Sequence, residues 1–294
     1  MAQPGIGFIG LGMMGVPMVG NLLRAGFGVR GFDLDPRAAT ALASDSRFSA
    51  SASAAAVAQG CSVLILMLPD SRVVDALLWD GAAALAPQLR AGQVLVDMGS
   101  SDPVRSRDNA HQLAALGIPF VDAPVSGGVK RARDGSLSIM IGGEAAAVAQ
   151  VHPVLQAMGK TLVHVGSAGA GHAVKALNNY VSAAGLLAVC EALVAAQAFG
   201  IDPKLANQVF NSSTAKNNTT EHKVESFMLS QAFNSGFALA LMRKDLQTAK
   251  AFIERMGTPD GFAAACLERW MQAESGLDKG ADHTAMFKFI RDQP

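Results

Sequence analysis

The sequence predicts an α/β protein in which a doubly wound, mostly parallel sheet is followed by a long helix and an all-α C-terminal domain. Up to about Gly166, short apolar runs typical of strands alternate with stretches of helical periodicity. A helix candidate of unusual length then covers residues 168–199, and the chain beyond it contains no strand-like run. These observations predict two domains, 1–166 and 167–294, the second of which begins with the long helix.

The first predicted strand ends at Ile9, and a glycine motif follows it. The motif has the spacing Gly-x-Gly-x-x-Gly and consists of Gly10, Gly12 and Gly15. A strand, a tight glycine turn and a helix N-terminus together form an anion site, because backbone N–H groups and the helix dipole point at a phosphate that no side chain obstructs. Since the same glycines could form only a tight turn, the motif by itself does not decide between the two.

The next predicted strand ends just before Asp33, which lies 18 residues after Gly15. An acidic side chain at about this spacing accepts hydrogen bonds from the ribose diol of NAD and repels the 2′-phosphate of NADP. Asp33 could instead cap the following helix, but Asp35 is better placed for that role. Arg30 and Arg37 are close enough in sequence to reach a 2′-phosphate, so the sequence predicts NAD and leaves NADP possible.

Further strand candidates complete the predicted sheet at 62–69, 93–100, 119–128, 136–143 and 161–166. Ser126, Gly127 and Gly128 stand at the carboxyl end of the third of these, where open α/β sheets bind ligands. A hydroxyl group and unobstructed N–H groups form a nest that suits a carboxylate. A plain glycine turn between strand and helix is the alternative interpretation.

The long helix candidate carries a lysine in an unusual setting. From residue 171 to residue 200 the only formal charges belong to Lys175 and Glu191, so we expect a buried helix and a lysine that faces a cleft. Gly171, Asn178 and Asn179 share the helix face of Lys175, and Gly171 removes a side chain there, which gives a ligand space to approach. A helical lysine is ordinarily a solvated surface residue, but here we expect it to transfer a proton.

Composition excludes several classes of partner. Lys plus Arg equals Asp plus Glu at 24 each, so no net charge attracts nucleic acid or an anionic membrane, and a small-molecule partner is expected. The six histidines show no spacing typical of a metal site, so no metal is expected. The apolar segment 176–199 is interrupted by asparagine, glutamate and glutamine, which predicts a buried helix rather than a membrane span.

The cysteines indicate a cellular compartment. Cys61, Cys190 and Cys266 lie far apart among apolar neighbours, which predicts buried free thiols in a reducing environment. The first predicted strand begins within five residues of Met1, which leaves no room for a secretory leader. We therefore expect a cytoplasmic protein.

Four segments together give the chain a family resemblance: FIGLGMMGVPM, DAPVSGG, GHAVKALNN and KDLQTA, the last of which begins at Lys244. In order and spacing they resemble the β-hydroxyacid dehydrogenase family, which includes 3-hydroxyisobutyrate dehydrogenase and tartronate semialdehyde reductase, over essentially the whole chain. The resemblance implies a Rossmann-type domain joined by a long helix to an all-α domain, in a homodimer or homotetramer. It also implies reversible, NAD-dependent oxidation of a short 3-hydroxy acid, similar to 3-hydroxyisobutyrate, serine, glycerate or threonate, to its semialdehyde.

The resemblance also assigns roles to individual residues. Lys175 is expected to be the general acid/base. The expected substrate-binding residues are Ser126, Gly127, Gly128, Asn178, Asn179 and Lys244. The expected cofactor-binding residues are Gly10, Leu11, Gly12, Met13, Met14, Gly15 and Asp33, with Leu68, Pro69 and Ser100 on the nicotinamide side and Lys244 reaching in from the helical domain.

The sequence departs from the family pattern in three places. Gly99 and Ser100 stand where relatives often have a Ser-Thr pair, which leaves the contact made by the first hydroxyl in question. Arg131 and Arg133 stand where small or acidic residues are common. They form either a solvated helix face or a recognition site for a doubly anionic substrate. Segment 211–223 is polar, which favours a hydroxylated substrate over a branched apolar one.

Two other functions fit the same scaffold. An imine reductase commonly carries another residue at the lysine position. A non-catalytic dinucleotide-binding module would lack the lysine and show basic extensions. Lys175 therefore argues against both alternatives.

Overall fold

A computed structural model of the protein describes residues 5–293, which divide into two compact units, one up to Lys175 and the other from Ala176 onward. The strands of the first unit are β1 (Ile6–Ile9), β2 (Val29–Phe32), β3 (Phe48–Ala50), β4 (Val63–Leu66), β5 (Val94–Asp97), β6 (Phe120–Asp122), β7 (Val125–Ser126), β8 (Leu137–Gly143) and β9 (Gly159–Gly166). Its helices are α1 (Gly15–Arg24), α2 (Ala54–Ala58), α3 (Ser71–Trp79), α4 (Pro103–Ala115), α5 (Gly128–Asp134) and α6 (Ala145–Gln156), with short 3-10 helices at Pro36–Leu42 and Ala86–Gln88.

The strands form one sheet in the order β3-β2-β1-β4-β5-β6-β8-β7, with β9 paired to β8. The strands from β3 to β6 pair in parallel, whereas β8 is antiparallel to both β6 and β7 and parallel to β9. The doubly wound, mostly parallel sheet predicted from the sequence is therefore confirmed. The strand order reverses between β1 and β4, and at such a point the carboxyl ends of the strands leave a crevice for a ligand.

The central strands are buried on both faces, which explains why they are continuous apolar runs. Their side chains alternate between two clusters. Phe8 and Ile65 pack on one face of the sheet with Met18 of α1, whereas Leu64 packs on the other face with Leu78 of α3. Each face of the sheet is thus sealed by helices, and the strand ends remain for binding.

The second unit is helical, as the sequence predicts. Helix α7 (Ala170–Ala198) begins in the first unit, and α8 (Pro203–Ser212), α9 (Asn218–His222), α10 (Leu239–Arg255), α11 (Gly261–Gly276) and α12 (Met286–Arg291) follow, with a π-helix at Val224–Leu229 and a 3-10 helix at His283–Ala285. The core of this unit surrounds the fully buried Trp270 and includes Leu186, Cys190 and Met286. Cys61, Cys190 and Cys266 are free and buried, as expected, and burial raises the pKa of Cys266 to about 11.

Helix α7 is long and apolar enough to cross a membrane by length and composition alone, since its most apolar 18-residue window has a mean hydropathy of 1.7. A third of that window is buried. Ala183, Leu186 and Cys190 are buried in the helical core, whereas Val181 is 67% exposed. The helix is less buried than its apolar composition predicts, because it packs on the helical core along one side only.

Candidate active site

The glycines of the loop after β1 differ in their surroundings: two are required for packing, and one faces open space. A Cβ atom at Gly10 would collide with the carbonyl group of Met67, and one at Gly15 would collide with the carbonyl group of Gly10. A Cβ atom at Gly12 would meet no described atom within 4 Å. Among the described residues no side chain caps the start of α1, so its first N–H groups can bind an anion. The loop therefore fits a pyrophosphate that approaches over Gly12.

The side chain of Asp33 is hydrogen-bonded to this loop. Its Oδ2 accepts a hydrogen bond from the backbone N–H of Leu11 at 2.7 Å, and its Oδ1 accepts one from the N–H of Asp35 at 2.9 Å. Asp35, rather than Asp33, caps the following 3-10 helix by accepting from the N–H of Arg37. This geometry suits a role of the Asp33 carboxylate in binding the adenosine ribose of a dinucleotide.

The arginines that could compete for a 2′-phosphate are engaged with protein groups. The Arg37 guanidinium forms a bidentate pair with Asp35, and the Arg30 Nη1 donates to the carbonyl oxygen of Gln59 at 2.6 Å. The pair with Arg37 lowers the pKa of the Asp35 carboxyl group. These contacts favour a ribose with a free 2′-hydroxyl, and therefore NAD.

The predicted nicotinamide-side residues lie in turns that follow neighbouring strands. Leu68 and Pro69 come after β4, and Ser100 comes after β5. A Cβ atom at Gly99 would lie 2.6 Å from the carbonyl oxygen of Leu68, so the two turns are in backbone contact. This contact gives a physical reason for a glycine at position 99.

The predicted carboxylate nest lies at the end of β7. Gly128 has a φ of +64°, and a Cβ atom there would meet no described atom within 4 Å. Gly127 has a φ of +131°, and the side chain of Arg131 occupies the space that a Cβ atom would need. Arg131 is exposed, yet its aliphatic part lies over the backbone of Gly127. The nest containing Ser126 is open at Gly128 and covered by an arginine at Gly127.

Lys175 lies in the second turn of α7 and is partly buried. The expectation that Gly171 opens space for a ligand on its face is wrong. A Cβ atom at Gly171 would lie 2.6 Å from the carbonyl oxygen of Met140 and 2.9 Å from the carbonyl oxygen of Asp122. Gly171 is therefore required for close packing of the helix on the sheet, and strand backbone fills the space.

In the helical unit the structure brings the other predicted polar residues together around one carboxylate. Asn179 is 6% exposed, and its Nδ2 donates to Oδ2 of Asp245 at 2.6 Å. The Oδ1 of Asn179 accepts from Nδ2 of Asn178 at 3.1 Å, and Nζ of Lys244 lies 3.7 Å from Oδ1 of Asp245. Both ends of the Asn179 amide are thus bound within the protein, whereas Asn178 is exposed.

Sequence reasoning missed three buried polar residues of the first unit, Asp97, Asp122 and His172, as well as Asp245 in the helical unit. A signal for two of them was present: β5 and β6 are apolar strands that each end in an aspartate, at the carboxyl edge of a parallel sheet. The network that these residues form is described below.

Comparison with known protein families covers nearly the whole chain. Residues 5–166 match the family described as the NAD binding domain of 6-phosphogluconate dehydrogenase. Residues 169–290 match the family described as NAD-binding of NADP-dependent 3-hydroxyisobutyrate dehydrogenase.

Individual relatives are similar over most of their length. The chain is 38% identical to 2-(hydroxymethyl)glutarate dehydrogenase of Eubacterium barkeri over 83% of this chain and 80% of that protein. It is 34% identical to 2-hydroxy-3-oxopropionate reductase of Escherichia coli K12, over 97% and 96% of the two chains. The structure of Mycobacterium tuberculosis 3-hydroxyisobutyrate dehydrogenase with L-serine has a TM-score of 0.91 at 31% identity and covers 99% of this chain and all of that one. An imine reductase of Myxococcus stipitatus, 19% identical with a TM-score of 0.67, shares the fold alone.

Proposed function

The chain belongs to the β-hydroxyacid dehydrogenase family, and on that premise we propose that it oxidises a short 3-hydroxy acid to its semialdehyde with Lys175 as the general acid/base. The chain is a nicotinamide-dependent dehydrogenase that acts on CH–OH donors, and its cofactor is NAD, with NADP possible. The observation that carries the proposal is the pair of open glycines, Gly12 and Gly128, at the carboxyl edge of the sheet.

In this mechanism different residues of the chain bind the cofactor, bind the substrate and transfer the proton. The open backbone at Gly12 and the start of α1 hold the pyrophosphate, and Asp33 accepts from the ribose diol. Ser126 and Gly128 fix the substrate carboxylate, which orients the carbinol carbon. A bound nicotinamide supplies the hydride acceptor. The neutral amine of Lys175 takes the hydroxyl proton while the carbinol C–H bond breaks with its electron pair and the C=O bond forms.

Initial rates at 340 nm with NAD or NADP test this function. The substrates are 3-hydroxyisobutyrate, 3-hydroxypropionate, L- and D-serine, glycerate, threonate and 2-(hydroxymethyl)glutarate, and a cyclic imine tests the imine reductase alternative. We expect oxidation of at least one acid with NAD preferred and no imine reduction. Bound NAD with no turnover of any acid or imine would favour a non-catalytic module instead.

Lys175→Ala tests the catalytic role. Loss of the proton acceptor should lower kcat by about a thousandfold, while the affinity for NADH changes little because the glycine loop is intact. Lys160→Ala, which removes an exposed lysine from β9, is the matched control and should keep its activity. A Lys175→Ala rate within tenfold of wild type would refute the role.

The substrate class depends on Arg131. Segment 211–223 favours a hydroxylated substrate by its polar composition, but four of its polar side chains bind within the segment, since Asn217 and Thr220 form a capping box and Lys216 pairs with Glu221. Arg131, by contrast, lies over Gly127 of the carboxylate nest. This contact favours a doubly anionic hydroxy acid, whose second carboxylate pairs with the guanidinium group.

Arg131→Ala should lower kcat/KM for 2-(hydroxymethyl)glutarate by about tenfold and leave that for 3-hydroxypropionate nearly unchanged, because only the first acid has a second carboxylate. The matched control is Arg133→Ala on the same helix, since its carbonyl oxygen, which accepts from Arg24, remains in place. Unchanged kinetics in the Arg131→Ala, Arg133→Ala double variant would contradict the assignment.

The assembly and the compartment of the protein are further proposals. We propose a homodimer or homotetramer, as the family resemblance implies, and a cytoplasmic location. The three free buried thiols support the location, because they suit a reducing compartment. Light scattering coupled to size exclusion gives the mass in solution, and a monomer at micromolar concentration would contradict the oligomer.

A further inference from the structure

Two buried carboxylates stand side by side where β5 and β6 end. Asp97 and Asp122 are register partners in the parallel pair, and they are 1% and 0% exposed. The ring of His172, also 0% exposed, lies between them, with Nε2 3.8 Å from Oδ2 of Asp97 and Nδ1 3.7 Å from Oδ2 of Asp122. Adjacent buried carboxylates are unfavourable unless hydrogen bonds or an opposite charge satisfy them, so the histidine belongs to the same network.

Asp122 caps helix α7 from the sheet. Its Oδ1 accepts from the backbone N–H of Gly169, the residue before the helix, at 2.7 Å, and its Oδ2 accepts from the N–H of His172 in the first turn at 2.8 Å. Such N–H groups at a helix start have no partner inside the helix. The negative charge also suits the positive end of the helix dipole. Gly142 and Gly171 make room for the cap, since a Cβ atom at either position would collide with Asp122. The start of the helix that carries Lys175 is therefore fixed to the end of β6.

The hydrogen-bond pattern indicates which nitrogen of His172 carries a proton. The Ser106 hydroxyl lies 2.8 Å from Nδ1, and it can also donate to the carbonyl oxygen of Asp102 at 3.0 Å. If it donates to Nδ1, the proton of a neutral ring is on Nε2. If the hydroxyl donates to Asp102, Nδ1 must carry the proton of the neutral ring and donate it to the hydroxyl oxygen. Nε2 is then unprotonated, and its lone pair faces the Asp97 carboxylate, which is repulsive. The first arrangement avoids this repulsion and turns Nε2–H toward Asp97, at a distance longer than a hydrogen bond, and within residues 5–293 Nε2 has no hydrogen-bond partner.

Asp97 holds the turn on the nicotinamide side. Its Oδ1 accepts from the N–H of Gly99 at 2.9 Å, and its Oδ2 accepts from the hydroxyl of Ser101 at 2.7 Å. Ser100 lies between these two anchored residues. The network thus runs from the Ser100 turn through Asp97 to His172 and on to the first turns of α7.

We propose that His172 is a positioning residue, which holds Lys175 in register with the Ser100 turn through its contacts with Asp97 and Asp122. This inference rests on the proposed role of Lys175. A small displacement of a catalytic group lowers the rate strongly without loss of the fold, and His172 lies one helical turn before Lys175.

The first test is His172→Leu, compared with His111→Leu, which removes an exposed histidine from the same unit. Rates are normalised to the NADH-binding sites counted by fluorescence titration, so that misfolded protein does not contribute. We expect kcat per site to fall by about 100-fold, with NADH affinity nearly unchanged. His172→Gln, whose amide can still donate toward Asp97, should recover most of this loss. An unchanged kcat per site in His172→Leu, or no recovery in His172→Gln, would overturn the proposal.

A double-mutant cycle separates positioning from a general structural role. If His172 acts through Lys175, His172→Leu should have little further effect on the residual rate of Lys175→Ala, because the group that it positions is absent. The same fold-loss in both backgrounds would overturn the proposal. Ser106→Ala, which removes the hydroxyl partner of the ring, gives the same comparison should His172→Leu fail to fold. Wild-type activity in Lys175→Ala alone would refute the catalytic role of Lys175 on which this inference rests, whatever the His172 variants show, whereas turnover of no hydroxy acid by the wild type would refute the proposed function.

Discussion

At the scale of single residues, glycines that look equivalent in the sequence differ in what surrounds them. In the loop after β1, Gly10 and Gly15 are required because other backbone lies against them, whereas Gly12 borders open space. The spacing Gly-x-Gly-x-x-Gly predicts the loop but does not say which glycine serves the fold and which serves the ligand. The neighbours of each missing Cβ atom make that distinction.

Gly12→Ala and Gly15→Ala should therefore fail in opposite ways. Gly12→Ala should keep its thermal stability and bind NADH at least about tenfold more weakly, because the methyl group obstructs only an approaching pyrophosphate. Gly15→Ala should lose about 2 kcal/mol or more of folding free energy, because the methyl group collides with a backbone carbonyl. Thermal melts and NADH titrations of both variants measure this, and normal NADH binding by Gly12→Ala would contradict the assignment of the loop.

At the scale of elements, two segments of the helical unit are joined by one carboxylate. Asp282 accepts from the Ser235 hydroxyl and from the N–H groups of Gly236 and Phe237, at 2.8, 2.8 and 3.1 Å. The next residue, His283, donates its own N–H to the carbonyl oxygen of Phe237 at 2.9 Å. These bonds connect the loop before α10 to the 3-10 helix before α12, and they place His283 in a buried setting.

This setting makes the stability of the helical unit sensitive to acid. Burial, assisted by the nearby Lys223 ammonium and opposed by Asp282, lowers the pKa of His283 from 6.5 to about 4. The unfolded chain therefore binds the extra proton between these values. The contribution of His283 is complete above pH 6.5 and is lost as the pH falls toward 4, by about 2 kcal/mol at pH 5.

Urea unfolding at pH 7 and pH 5 measures the effect. His283→Gln removes the titrating group, so the difference in unfolding free energy between the two pH values should shrink by about the same 2 kcal/mol. His111→Gln, which replaces an exposed histidine, is the control and should behave as wild type. An identical pH dependence in wild type and His283→Gln would contradict the assignment.

At the scale of the whole molecule, the chain consists of two units with separate cores, and α7 begins in one and continues in the other. The glycine loop and Asp33 belong to the first unit, and the Asp245 cluster belongs to the helical unit. A ligand that binds only the folded protein stabilises it by mass action.

NADH should therefore raise the unfolding temperature of the protein. At a concentration about a hundredfold above its Kd, it should add about 2.7 kcal/mol of stability. Differential scanning fluorimetry with and without NADH tests this, and Gly12→Ala at the same concentration should show a much smaller shift. A wild-type melting temperature that NADH leaves unchanged would contradict binding to the folded state.

The sequence by itself determined the fold class, the glycine loop and the motifs that mark the family, because apolar periodicity and short spacings encode local backbone structure. It also placed Lys175, Asn178 and Asn179 on one helix, since that helix is long and continuous. Asp35 as the helix cap could be read from adjacent residues for the same reason.

Only the tertiary structure decided what those elements contact. The bond between Asp122 and the N–H of His172 joins residues 50 positions apart, and that between Asn179 and Asp245 joins residues 66 apart. No local pattern records which strand end meets which helix start, so the sequence predicts an opening at Gly171 where the structure has a packing contact. The sequence specifies the local geometry of each element, whereas strand order and helix packing decide which distant polar groups share a buried site.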